Sequence, residues 1–284
     1  MIQKLIKCTF PTSLYHTANA HGWSQLAPWC WDSSRNELSR PERLGSGKQV
    51  LVKVTSAEAR TFMICIGAER LEETDYDVVE SNVKRWLSVD WDPNPAIRIA
   101  APLDGHIALF IKQGGGRFLR SSTFYEDFVK TLCTINANWA FTRRMVSSLV
   151  DLLGNGVFPT PLTIIDSGEG VLRQYLRLGF RARHVVELSR QLLDQGWIDD
   201  LGNLVHLKLT FEDLVGLRGI GVYSASHLMM LSQDFRRIPI DSEVSRYCRQ
   251  QYDIEPEGIE SFFDNWGDYK FLGYKVRRTL DGGD

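Results

Sequence analysis

Two textures of hydrophobic patterning divide the chain. Near the start, QVLVKVT (49–55) and RTFMICIG (60–67) are runs rich in β-branched and apolar residues, joined by SAEA, and they predict a pair of antiparallel strands. Further on the period lengthens. VVESNVKRWLSV (78–89) sets Val79, Val83, Trp86 and Leu87 on one face of a helix, and Pro93, Pro95 and Pro102 are expected to break up the stretch after it. The glycine run QGGGR (113–117) is the best boundary candidate, dividing the chain into 1–116 and 117–284.

The second part reads as nearly all helix. Thr123 followed by Glu126 predicts a capping box opening a helix with Phe124, Phe128 and Leu132 on one side. TINAN (134–138) interrupts the pattern, and a second helix runs to Gly154. Thr160 before Pro161 starts a short helix, Ser167 is expected to cap the next, and RARHVVELSRQLLDQG (181–196) ends on a glycine just past its last turn. Thr210 with Asp213 begins a helix that leads into LRGIGVYSASHL (217–228), and IPIDSEVSRY (238–247) comes after it.

Composition narrows the classes. With 284 residues, 43% of them hydrophobic, the chain can bury one large core or two ordinary ones, and it has no disordered or fibrous bias. MIQKLIKCTF holds too short an apolar run for a signal peptide and no segment is long enough to span a bilayer, so an intracellular protein is expected. Cys8, Cys30, Cys65, Cys133 and Cys248 show no paired spacing and read as reduced, mostly buried thiols. His16 and His21, five apart, suit joint metal ligation poorly and are assigned no chemistry. The formal charge is −2, and from Arg117 onward 20 Lys and Arg face 22 Asp and Glu, so bulk charge argues weakly against a nucleic-acid partner.

Local chemistry pulls the other way. Between two helices, Gly219 and Gly221 allow positive φ and leave amides free to face a phosphate, a backbone grip that needs no net basic charge. Taken alone, the same glycines fit a helix C-cap and a tight helix–helix turn. Asp241 can cap the helix that begins at Ser242, and Tyr223 can be plain packing at a helix start.

LRGIGVYSASHLMML with IPIDSEVSRY resembles the hairpin and downstream aspartate of the helix-hairpin-helix DNA glycosylase superfamily, which contains 3-methyladenine DNA glycosylase II and 8-oxoguanine DNA glycosylase. RFLRSSTFYEDFVKTLCTINANWAFTRRMVSSLVDLLG (117–154) and FPTPLTIIDSGEGVLRQYLRLGFRARHVVELSR (158–190) resemble the preceding stretches, so the likeness covers roughly residues 78 to 280. It implies an α+β fold, with an N-terminal antiparallel-sheet domain of the TATA-binding-protein type before an all-α helix-hairpin-helix catalytic domain. The implied partner is double-stranded DNA with a damaged base, bound by a monomer.

In that resemblance Asp241 faces the deoxyribose of a nucleotide rotated out of the duplex, offsetting the positive charge that builds as the N-glycosidic bond breaks. Tyr223 stands where bifunctional members carry a nucleophilic lysine, and Lys208, Lys270 and Lys275 lie elsewhere in the pattern, so a glycosylase without β-lyase activity is expected. An aromatic ring there suits a cationic alkylated purine. His227, one turn on, shares that face, and Trp266, Tyr269 and Tyr274 are candidates for the opposite wall.

Asn136 matches the position from which the 8-oxoguanine enzymes fill the gap left by the extruded base, and asparagine equally suits a plain helix-ending loop. Arg218, Gly219, Gly221 and Val222 are the implied DNA-backbone contacts. Carbonyls of Val215, Leu217 and Ile220 match those that hold K+ or Na+ in family hairpins. No cofactor is required, and the iron–sulfur cysteines of some relatives are missing, since Cys248 stands alone beyond Asp241. HGWSQLAPWCWD (21–32) does not match the segment that helps read 8-oxoguanine. The rival readings are a glycosylase for oxidised guanine, a non-catalytic DNA-binding module and an unrelated helical protein with a chance GxG turn, the last requiring Asp241 far from the hairpin helix.

Overall fold

The computed structural model describes residues 1–58, 60–205 and 209–282. The first stretch contains β1 (Ile2–Lys7), α1 (Leu14–Asn19), β2 (Cys30–Asp32), β3 (Glu37–Arg43), β4 (Gln49–Glu58) and β5 (Thr61–Ile66). The strands form one antiparallel sheet in the order β1-β5-β4-β3-β2. Strict alternation explains the expected pair: Val50, Val52 and Val54 on β4 and Phe62, Ile64 and Ile66 on β5 are all buried, while Leu51 faces out. β4 continues past Thr55 to Glu58 through a bulge, so most of SAEA is strand. β3 escapes a hydrophobicity reading because its inward face carries Leu38, Arg40 and Glu42.

Twelve further helices complete the chain among the described residues: α2 (Glu73–Trp86), α3 (Asn94–Leu103), α4 (Gly105–Lys112), α5 (Phe124–Thr134), α6 (Trp139–Ser148), α7 (Pro161–Gln174), α8 (Arg181–Asp194), α9 (Phe211–Gly216), α10 (Val222–Leu231), α11 (Ser242–Tyr252), α12 (Ile259–Phe262) and α13 (Lys270–Leu280). Val79, Val83, Trp86 and Leu87 are fully buried, as the periodicity requires. The prolines mark the two ends of α3 and leave its middle intact. Pro93 caps α3, Pro95 sits in its first turn where no amide is needed, and Pro102 falls in its last.

Three capping expectations meet different fates. Thr123 Oγ1 accepts the Glu126 amide, but the Glu126 carboxylate turns inward to Arg40 and Lys130 instead of closing the box. Ser167 caps nothing, since its hydroxyl donates to the Thr163 carbonyl and the break in α7 falls on Gly168 (φ 72°). Thr210 and Asp213 form the full reciprocal box at the start of α9. Gly196 (φ 67°) comes just after α8 as expected.

The glycine run is a packed crossing. Gly114 (φ 99°) is buried against the backbone of Thr12 and Ser13, where a Cβ would come within 2.9 Å, and its carbonyl accepts the Ser13 amide. Ahead of that crossing, α4 packs on α13 and α3 on the 3₁₀ segment Asp264–Tyr269, so the first 116 residues reach the C-terminal helices. Among the described residues no helix is long and apolar enough to cross a membrane.

Candidate active site

The capping box of α9 feeds a tight turn. Leu217 leaves the helix in an extended conformation, its carbonyl accepts the Ile220 amide (3.0 Å), and Gly219 turns with φ 91°. Only Gly219 needs the left-handed region; Gly221 is extended (φ −92°, ψ 176°) and caps α10 with no side chain in the way. Leu217 and Ile220 anchor the turn in the core, while Arg218, Gly219, Gly221 and Val222 are exposed, as the side chain of Val215 is.

From this hairpin α10 runs beneath a cleft of about 1030 Å³. Tyr223 and His227 line it from α10, and Asp241 and Ser242 line it from the start of α11. Asp241 caps α11: its Oδ1 accepts the amides of Glu243 (2.9 Å) and Val244 (2.8 Å). That holds the exposed carboxylate at a helix N-terminus, where the axial dipole favours negative charge. Burial pushes the Tyr223 phenol up to about 12, and the Asp241 carboxylate adds to that push, so the two groups interact across the cleft. The chance-turn reading, which requires them far apart, fails here.

The opposite wall comes partly from where the sequence suggested. Tyr274 lines the cleft, its hydroxyl accepting Arg278 Nη1 (3.0 Å) and raised to about 12, chiefly by burial. Tyr269 does not; it lies against Phe235. Trp266 is buried under Gly273 instead. The helical period of α13 explains the miss: Phe271, Tyr274, Lys275 and Arg278 share the cleft-facing stripe. Lys275 is therefore at the cleft, contrary to expectation, while Lys270 pairs with Asp264 and Glu260 elsewhere. Lys208 lies outside the described residues.

Asn136 lines the cleft from the loop between α5 and α6, exposed and with φ 48°, and the Arg181 guanidinium ties that loop down through the Ile135 carbonyl. Trp139, at the start of α6, covers Gly22, where a Cβ would meet its ring at 2.4 Å, and donates to Gln25 Oε1 (2.8 Å).

The segment set aside in the sequence, HGW, closes the cleft. His21 and Trp23 both line it. His21 Nδ1 accepts the Trp23 amide (3.2 Å), which leaves the proton on Nε2 to donate to the Leu119 carbonyl (2.8 Å). Burial, with His227 nearby, holds its pKa well below the ordinary value. Trp23 is 2% exposed, donates to Asp127 Oδ1 (2.9 Å), and lies tilted against His227 with ring centroids 4.9 Å apart. Burial lowers His227 to about 4, against the opposing pull of Asp127 and Asp241, so both imidazoles are neutral at pH 7. No local spacing marks these residues, because what joins them to α10 is tertiary packing.

No family model matches the chain, and no curated protein sequence matches it. Solved structures do. The 3-methyladenine DNA glycosylase of Archaeoglobus fulgidus superposes with a TM-score of 0.71 at 17% identity, covering 99% of this chain and 100% of its own. The chain has the fold of the helix-hairpin-helix DNA glycosylases. The 8-oxoguanine glycosylase/lyase of Clostridium acetobutylicum, bound to double-stranded DNA with cytosine opposite the lesion, gives 0.68 at 15% identity over 99% of both chains. A 3-methyladenine DNA glycosylase of Schizosaccharomyces pombe, in complex with abasic DNA, covers 66% of this chain and 97% of its own, with a TM-score of 0.51 and 17% identity.

Proposed function

We propose that this protein is a monofunctional DNA glycosylase that rotates a damaged purine, foremost an alkylated one, out of the duplex and hydrolyses its N-glycosidic bond. The observation that carries the reading is the joint presence of Asp241 and Tyr223 on one aromatic-walled cleft beside the GIG hairpin. The carboxylate offsets the oxocarbenium charge of the departing sugar and orients water, while the flat faces of Tyr223 and Trp23 receive the base. The hairpin amides and Arg218 grip the backbone and Asn136 enters the vacated stack, while the carbonyls of Val215, Leu217 and Ile220 would hold a K+ or Na+ ion that would supply positive charge for a phosphate. In this reading residues 1–116 form a sheet module that supplies His21 and Trp23 to a helical catalytic module, 117–284.

Base release from duplexes carrying 3-methyladenine, 7-methylguanine, hypoxanthine or 8-oxoguanine, followed by alkaline cleavage of abasic sites, tests the activity. Release of an alkylated purine is expected, and no release from any duplex refutes the reading. A phenol cannot form a Schiff base. Borohydride should therefore trap no covalent complex; trapping that disappears in Lys275→Met would make the enzyme bifunctional through the lysine that the fold brings to the cleft.

The 8-oxoguanine reading remains the second choice because Asn136 occupies the cleft-lining loop. It predicts that 8-oxoguanine is the fastest substrate of the panel.

A further inference from the structure

Gly22 stands between two residues that line the cleft, His21 and Trp23, and opens a 3₁₀ turn (Gly22–Gln25). Its φ lies outside the left-handed region, so the backbone itself does not ask for glycine. Trp139 does. A Cβ on residue 22 would come within 2.4 and 2.5 Å of two atoms of that indole, and the next nearest atom, at 3.3 Å, belongs to the same ring. The indole N–H donates to Gln25 Oε1 (2.8 Å), so one side chain holds both ends of the turn. Trp139 is tied as firmly to the other side of the cleft. It is the first residue of α6, three places after Asn136. The loop that carries Asn136 is fixed where it begins by Arg181 on the Ile135 carbonyl, and where it ends by Asn138 Oδ1, which accepts the Phe141 amide (2.9 Å) and caps α6. Thr142 Oγ1 donates to the Cys133 carbonyl (3.2 Å) and fastens α6 to α5.

A half-buried indole thus braces the loop bearing Asn136 against the turn bearing His21 and Trp23. We infer that Trp139 is a positioning residue that sets the spacing between these two walls and so governs how readily a nucleotide leaves the stack. It acts through Asn136, His21 and Trp23, and leaves bond cleavage to Asp241. Rotating a base outward costs its pairing and stacking before the cleft repays either. A gap-filling loop and a pocket wall held at a fixed separation repay both in one step, whereas a shift of about 1 Å between them can cost about 100-fold in rate. The inference rests on the glycosylase reading and assigns a residue of this chain to the extrusion step.

The test is single-turnover release of 7-methylguanine by the full-length protein in two settings: paired with cytosine, and opposite an abasic-site analogue, where no pairing has to be broken. Trp139→Ala should slow release from the paired duplex about 10–100-fold and from the unpaired setting less than about threefold, whereas Asp241→Asn should slow both alike. Trp139→Phe, which keeps a ring over Gly22, should retain most of the wild-type rate. Gly22→Ala drives a methyl group into the indole. It should show the same dependence on pairing, lower the melting temperature by about 2–8 °C, and cost nothing further in a Trp139→Ala background. Equal loss in both settings, no loss in either, or additive effects of the two substitutions overturns the role of Trp139 and leaves the glycosylase reading standing. Absence of release by wild type in both settings overturns the alkylpurine reading and this inference together.

Discussion

Two polar interiors lie on opposite sides of Trp23, and they are built to opposite rules. Between the sheet and α5, Arg40 clasps Glu126 through both terminal nitrogens (2.9 and 2.8 Å), Lys130 adds a third contact (2.7 Å), and Ser122 and Asn82 satisfy Glu42. Asp127 takes Trp23 and the Ser121 amide on one oxygen and Arg85 on the other. Burial works to raise the Glu126 carboxyl, yet Arg40 and Lys130 more than cancel it and hold it at about 2. In the cleft, by contrast, Asp241 uses one oxygen for its cap and His227 leaves Nε2 unpaired. In the network the charges are paired and fix the packing; in the cleft the His227 nitrogen is buried without a partner.

The largest effects should separate the two. Glu126→Ala strips Arg40 and Lys130 of their shared carboxylate inside the core, so a loss of about 3–5 kcal/mol is expected in urea denaturation. Asp241→Asn should behave in reverse. Asparagine caps a helix as well as aspartate does, so stability should change by less than about 1 kcal/mol while base release falls about 100–1000-fold, with duplex binding retained. A destabilised Asp241→Asn would erase the distinction, and one that still releases base would leave Asp241 as the cap of α11 alone.

Acid titration comes next in size. His227, at about 4, and His21, lower than its ordinary value, bind protons less readily folded than unfolded. Stability should therefore fall as pH drops from about 6.5 toward 4, by up to about 1.4 kcal/mol per pH unit for each histidine. The Glu126 contribution disappears lower, as pH falls from about 4.5 toward 2, so the cleft should loosen before the network does. Chemical denaturation at several pH values, repeated with His227→Phe, should show a shallower slope between pH 6.5 and 4. An unaltered slope would mean that His227 is not the group titrating there.

How far the sequence carried each region depends on the range of the interactions. The hairpin and the Asp241 cap are encoded within a few residues, so local chemistry finds the turn and the helix start, while the roles expected of Tyr223, His227 and Asp241 came from the family resemblance. α13 was legible as aromatic-rich but not in phase, and so Trp266 and Tyr269 were expected at the cleft along with Tyr274, which is there with Lys275. Arg40 and Glu42 gave β3 a polar look, and Glu126 resembled half of a capping box, because each finds its partner in a distant element: Arg40 and Glu126 are 86 residues apart, Glu42 and Ser122 80. His21 and Trp23 carried no signal at all, since Asp127, the partner that fixes Trp23, is 104 residues away.

Trp23 belongs to both interiors, and the smallest predicted effect tests whether they are separable there. Trp23→Phe removes the indole N–H from Asp127 but leaves that carboxylate the Ser121 amide and Arg85, and it keeps an aromatic face against His227. The expected cost is about 1 kcal/mol of stability, with base release lowered less than about tenfold. A loss of release on the scale of Asp241→Asn, at that same modest cost in stability, would mean that the indole N–H transmits the order of the network into the pocket. The satisfied interior would then be part of the catalytic machinery, because Asp127 would be setting the position of His227 through the ring packed against it.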